Sequence, residues 1–121
     1  MTNTDKSKEM KYLDHNPGQW FLLQWQGALY LNYRYSHTDI ADDSAFMKLS
    51  NEERYQYDTR GREALQELAE AARNSGPYRK ESPYYERNLF RGPGSKELSS
   101  AVGTAIADHT LSAEHPQTNK D

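Results

Sequence analysis

The chain has 121 residues, a formal net charge of −3, nine tyrosines and no cysteine, with a pI near 5.8 and a mean hydropathy of −1.10. That length suits one domain, and the missing cysteine excludes disulfides, thiolate metal sites and cysteine nucleophiles. The acidic balance leaves no global electrostatic case for nucleic acid or an anionic membrane.

Residues 1–11 and 112–121 are polar and lack an apolar period. They read as disordered tails around a single α+β domain, 12–111. No apolar signal segment opens the chain. The longest strictly apolar run, 20–23, is far too short to cross a bilayer. A cytoplasmic protein with no membrane contact is the default expectation.

Asn16-Pro17-Gly18-Gln19 is a turn, because Pro17 presets φ at its second position and Gly18 tolerates a positive φ at its third. A β-hairpin follows over 20–36. Phe21, Leu23, Leu29, Leu31, Tyr33 and Tyr35 are all odd-numbered and apolar or aromatic. They share one face if the loop is the three residues Trp25-Gln26-Gly27, which sets Leu23 opposite Leu29 and Phe21 opposite Leu31. A two-residue Gln26-Gly27 turn would set Leu23 against Tyr30 and move Leu29 and Leu31 to the wetter face. The three-residue loop is therefore the expectation.

Residues 37–44 form a polar loop, and 45–49 a short strand. Ser50 and Glu53 have the spacing of a capping box. A long helix is expected over 51–74, with Tyr57, Gly61, Ala64, Leu68 and Ala71 along one face. Gly61 would let that helix approach the sheet closely, and Asp58 and Arg62 would pair on its outer side. Gly76-Pro77 stops it. Residues 78–91 have no clean period beyond a short helical turn near 84–89. Ser95 would cap a shorter C-terminal helix, 96–109, with Leu98, Val102, Ala105 and Ile106 inward. A small antiparallel sheet of three or more strands with helices on one face fits this order.

Asn16-Pro17-Gly18-Gln19-Trp20-Phe21-Leu22-Leu23, the Gly27 turn and Tyr30-Leu31-Asn32 together resemble a stretch of small uncharacterised bacterial α+β proteins. The resemblance covers roughly residues 12–35. It implies a bacterial origin and an α+β fold, and it carries no activity or site residue.

Charge is uneven along the chain. Residues 37–53 are net −4 and residues 77–91 are net +2. Opposite patches on a small domain favour self-association or packing of one on the other. The basic stretch supplies the main binding candidates, Tyr78, Arg79, Tyr84, Tyr85 and Arg87, since Tyr and Arg dominate interface hot spots. On that reading, changing Tyr84 and Tyr85 to Ala would leave the melting temperature nearly unchanged. Trp20 and Tyr30, on the second hairpin face, form another patch that is either covered by a helix or used in a homodimer.

Catalytic pairs are hard to assemble. There is no nucleophile elbow, phosphate loop or dinucleotide fingerprint. The start of the last helix, with Arg91 and Lys96 beside it, offers amides to a phosphate as any helix start does. The best expectation is a non-enzymatic protein-binding or regulatory module, homodimeric and without a cofactor. Two alternatives remain open. One is a small metal-dependent enzyme using His37, Asp39 and Asp42, whose clustered His and carboxylates suit a cation. The other is a weak single-stranded nucleic-acid binder using a tyrosine-rich sheet.

Overall fold

Seen in a computed structural model, the protein is described over residues 10–36, 42–92 and 94–119, by backbone alone at 42 and over 109–119. Four strands form one antiparallel sheet in chain order: β1 (Lys11–Asn16), β2 (Trp20–Trp25), β3 (Ala28–Ser36) and β4 (Asp42–Lys48). Helices α1 (Asn51–Arg60), α2 (Arg62–Asn74) and α3 (Ser95–Asn119) follow, with a 3-10 turn at Leu89–Arg91 before the last. The chain is thus α+β, an antiparallel sheet packed by helices. Among the described residues no helix is long and apolar enough to cross a membrane.

The first turn forms as its residues require. Gln19 N–H donates to Asn16 O at 2.9 Å, and Gly18 takes φ +74°, the positive angle this turn demands. The strand before it was not visible in the sequence. A bulge between Tyr12 and Asp14 breaks the β1 register, so side chains there do not alternate cleanly. Lys11 begins that strand and Met10 is buried, which moves both out of the expected tail.

The hairpin register differs from expectation. Gln26 (φ 54°) and Gly27 (φ 79°) form a two-residue turn, and Leu23 pairs with Tyr30, not Leu29. Positive φ at both central residues gives the turn whose twist matches its strands. The slip carries no penalty because neither face is wet. Trp20, Leu22, Leu29, Leu31, Tyr33 and Tyr35 join Ala45 and Met47 beneath Leu65, Ala69 and Ala72 of α2. On the opposite face Phe21, Leu23, Trp25, Tyr30 and Phe46 meet Phe90 and Leu98, Val102 and Ala105 of α3. The helices therefore cover both faces rather than one.

The second core has an aromatic spine. Phe46 stacks on Tyr30 at 5.1 Å and on Phe90 at 5.4 Å, with interplanar angles of 11° and 16°. It ties β3 and β4 to the 3-10 turn. Rings in such offset contact add roughly 1 kcal/mol per pair beyond the area they bury.

Both sheet edges are blunted. At β1, His15 N–H donates to Asp14 Oδ1 at 2.8 Å, and His15 O accepts from Arg62 at 2.6 Å. At β4, Phe46 N–H donates to Asn88 Oδ1 at 3.1 Å. Such devices keep a second chain from adding to the sheet.

The capping box forms in full: Glu53 N–H reaches Ser50 Oγ at 3.2 Å, and Ser50 N–H reaches Glu53 Oε1 at 2.8 Å. The expected single helix, however, breaks at Gly61, where φ 76° and ψ −148° end α1 and start α2. A Cβ at Gly61 would meet nothing within 4 Å. The glycine serves a backbone angle that L-residues avoid, not a close approach to the sheet. The break also redirects Arg62. It pairs with Asp14 at 2.8 Å, while Asp58 sits 3.7 Å from Arg54.

The last helix is longer than expected, reaching Asn119 rather than residue 109, and its cap is different. Leu98 N–H donates to Gly94 O at 3.1 Å, so Gly94 (φ +81°) holds the capping position and Ser95 lies inside the first turn. Val102 and Ala105 face the core as their spacing predicts.

Candidate functional site

Residues 76–91 form a ladder of linked turns. Backbone N–H groups of Arg79, Ser82, Tyr85, Asn88 and Arg91 donate in succession to the carbonyls of Gly76, Arg79, Ser82, Tyr85 and Asn88, at 2.9–3.3 Å. Each turn starts where the previous one closes. This is why the stretch shows no helical or strand period although every third backbone N–H from Arg79 to Arg91 is bonded to the carbonyl three residues before it. The only regular helix in it is the 3-10 turn at Leu89–Arg91, later than the expected 84–89.

Buried Pro77, Ser82 and Asn88 fasten the ladder to the domain. Ser82 Oγ lies 2.6 Å from Ser75 Oγ and accepts from Tyr84 N–H at 3.1 Å. Asn88 Oδ1 accepts from both Phe46 and Phe90 N–H. Arg87 adds the strongest tie. Its guanidinium donates to Glu53 Oε2 at 2.8 Å, to Glu53 Oε1 at 2.6 Å and to Lys48 O at 2.9 Å. Burial pushes the Glu53 carboxyl up, but the Arg87 and Ser50 hydrogen bonds and the Arg87 charge outweigh it and hold the pKa below the usual carboxylate value. Arg87 is thereby occupied in holding the fold.

The expected binding residues divide between surface and core. Tyr78 is 39% exposed; it stacks on Tyr35 at 6.2 Å, and the Arg79 guanidinium lies 5.4 Å over its ring. Tyr85 is half-buried, with the Arg91 guanidinium 3.9 Å from its ring centre. Tyr84 packs against the α2-side core, with Arg87 over its ring at 5.6 Å. Replacing Tyr84 therefore removes core contacts, against the expectation of an unchanged melting temperature.

Trp20 (1% exposed) and Tyr30 (7%) are core residues on opposite faces of the sheet, so they form no shared patch. Trp20 Nε1 donates to Gln66 Oε1 at 2.9 Å. Tyr33 and Tyr35 are buried as well, so these sheet tyrosines offer bases no stacking platform. Of the alternative metal set, His37 and Asp39 lie outside the described residues, and Asp42 is described by backbone alone. Among the described residues no group of three or more His, Asp or Glu could hold a metal.

Sequence reasoning missed Ser82, Asn88 and Gln66. Each is polar, sits in no motif, and matters only through partners far away in the chain. Gln66 Oε1, for example, also accepts from Asn16 Nδ2 at 2.7 Å across 50 residues. No family model, curated protein or solved structure matches the chain.

Proposed function

We propose that the chain is a small non-enzymatic binding module that holds an acidic segment of a protein partner against the Tyr78–Arg79 end of the turn ladder. The observation that carries this reading is the Tyr35–Tyr78–Arg79 stack. An exposed ring, backed by a buried one, carries a guanidinium that has no ion pair among the described residues. An aromatic-backed arginine on a rigid backbone loses little freedom on binding a carboxylate. A neighbouring cavity of about 330 Å³ shares Tyr35 and adds Arg34 and Arg73 to its lining, which extends the cationic character of this end.

The homodimer expected from the apolar hairpin loses that basis, because the protein's own helices cover both hairpin faces. The reading needs no second copy, and light scattering near 14 kDa would agree with it. A cytoplasmic setting is part of the proposal, and cell fractionation tests it.

The binding test is a titration of 15N-labelled protein with a synthetic glutamate-rich peptide at low salt. Saturable shifts centred on Tyr35, Tyr78 and Arg79 are expected. The double variant Tyr78→Ser/Arg79→Ser should lose them while keeping its melting temperature. Absence of saturation, or shifts that the double variant retains, would remove the reading.

A further inference from the structure

At the far end of the ladder, the 3-10 turn, the start of β4 and the N-terminus of α3 enclose a cavity of about 370 Å³. Asp43, Asn88, Arg91, Ser95, Lys96 and Ser99 line it, and so does Tyr35. Helix α3 is 25 residues long, and its capping position is Gly94, which has no side chain to occupy the first-turn amides; of these, Ser95 N–H already donates to Gly92 O at 3.2 Å. A helix start by itself is common to every helix and selects nothing.

Asn88 supplies the independent observation. The residue is only 8% exposed. Its Oδ1 accepts from two backbone N–H groups, of Phe46 and Phe90, which fixes the orientation of the amide, since the reverse would set donors against donors. Its Nδ2 has no acceptor in the protein. Nor is that nitrogen sealed off, because the one fully enclosed and unpaired side-chain polar atom among the described residues is Tyr33 Oη. A pair of donors on a nearly buried, rigidly held side chain thus remains open beside the cavity that Asn88 lines. Held in place through its oxygen, this NH₂ can donate to an acceptor that enters the cavity.

The other groups agree in sign. Arg91 is immobilised by Nε–H donation to Tyr85 O at 2.8 Å and by its contact with the Tyr85 ring. Its terminal nitrogens carry no bond within the protein. Lys96 is exposed and without an ion pair among the described residues. Ser95 and Ser99 are four apart, on one side of α3. Amide, guanidinium, ammonium, hydroxyls and helix amides together form a donor set for an oxyanion. Asp43, in the same lining, opposes a bare anion. Its Oδ1 accepts from Ser44 N–H at 2.8 Å and the residue has a further interaction within the protein; a carboxylate offers about four lone-pair sites, so one more donor from a ligand can be added to these.

We infer that this cavity binds a phosphate monoester whose carrier presents a hydroxyl or amide donor to Asp43. The phosphoryl group sits at the α3 start between Asn88 Nδ2, Arg91 and Lys96, and the carrier points toward β4. The site shares the Tyr35 wall with the Tyr78–Arg79 surface but none of its charged groups, and it stands whether or not that surface binds a protein. Two sources share this chemistry, a small phosphorylated metabolite and a phosphoserine in a protein.

The test titrates 15N-labelled protein with inorganic phosphate, glycerol 3-phosphate and N-acetyl-O-phosphoserine amide. Saturable shifts are expected at the Ser95, Lys96 and Glu97 amides and at the Asn88 side-chain NH₂. Either ester should bind more tightly than inorganic phosphate, and the tighter of the two identifies the source. Asn88→Asp keeps the oxygen that holds Phe46 and Phe90 and replaces the donor with a carboxylate oxygen; it should cut affinity at least ~10-fold. Lys96→Gln, at an exposed side chain with no ion pair among the described residues, should also weaken binding without lowering the melting temperature, and covers the case in which Asn88→Asp fails to fold. Affinity should also fall as the ester takes up its second proton near pH ~6. Absence of saturation with any of the three probes overturns the inference. So does binding that the folded variants leave undiminished, which would mark an adventitious ion only.

Discussion

Arg87 grips Glu53 through both carboxylate oxygens, at 2.6 and 2.8 Å, across 34 residues of chain. Glu53 is at the same time the returning half of the α1 capping box. One carboxylate therefore starts a helix and anchors the turn ladder. Arg87→Ala should destabilise the protein by about 2 kcal/mol, the range for hydrogen bonds to charged groups. Arg87→Lys should recover little, since an ammonium cannot form the paired geometry. Urea denaturation measures both; equal stability of all three proteins would mean the contact is not made in solution.

The same pair gives an acid limb. The Glu53 pKa is held below its unfolded value, so its contribution is present above pH ~4.3 and is lost as the pH falls through that value toward the folded pKa. A stability profile between pH 6 and 3 should show a drop that Glu53→Gln flattens. Tyrosines act at the other end. Burial raises the pKa values of Tyr12, Tyr30, Tyr33 and Tyr35, so stability should decline above pH ~10, where the unfolded chain ionises first.

Tyr33 is fully buried and its hydroxyl has no hydrogen-bond partner. Burial, with Tyr35 and Tyr84 adding to it, keeps this phenol protonated well beyond its ordinary range. An unsatisfied buried hydroxyl costs about 1–3 kcal/mol. Tyr33→Phe removes the hydroxyl while keeping the ring, and should raise stability by about 1 kcal/mol. A loss of stability would show that the oxygen is satisfied in solution by a bound water.

Gly61 offers a test whose sign separates two structures. In one continuous helix, Gly61→Ala would stabilise by about 1 kcal/mol. At the observed φ of 76° an alanine is strained, and the substitution should cost about 1–3 kcal/mol. Thermal melting decides between them, and a stabilised variant would rule out the break between α1 and α2.

Phe46 is fully buried between the Tyr30 and Phe90 rings. Phe46→Ala should cost about 3–5 kcal/mol and loosen the 3-10 turn. Hydrogen exchange should show this as lost protection at Phe90 and Arg91 N–H. A milder loss confined to β4 would mean the ring stack does not carry the turn.

Local chemistry was legible in the residues themselves. The Pro17-Gly18 turn, the Ser50–Glu53 capping box, the Gly76-Pro77 stop and the inward positions Val102 and Ala105 all follow from neighbours within one or two turns of chain, and an α+β class follows from their order. Tertiary structure decided what depends on which surfaces are dry. The 20–36 hairpin is apolar on both faces, so its alternation could not choose a register; only α2 over Leu29 and Leu31, and α3 over Leu23 and Phe21, made the two-residue turn the favourable one. The turn ladder was unreadable for a related reason. Its order comes from Ser82, Asn88 and Arg87 reaching Ser75, Phe46 and Glu53, and bonds to distant partners leave no period in a sequence.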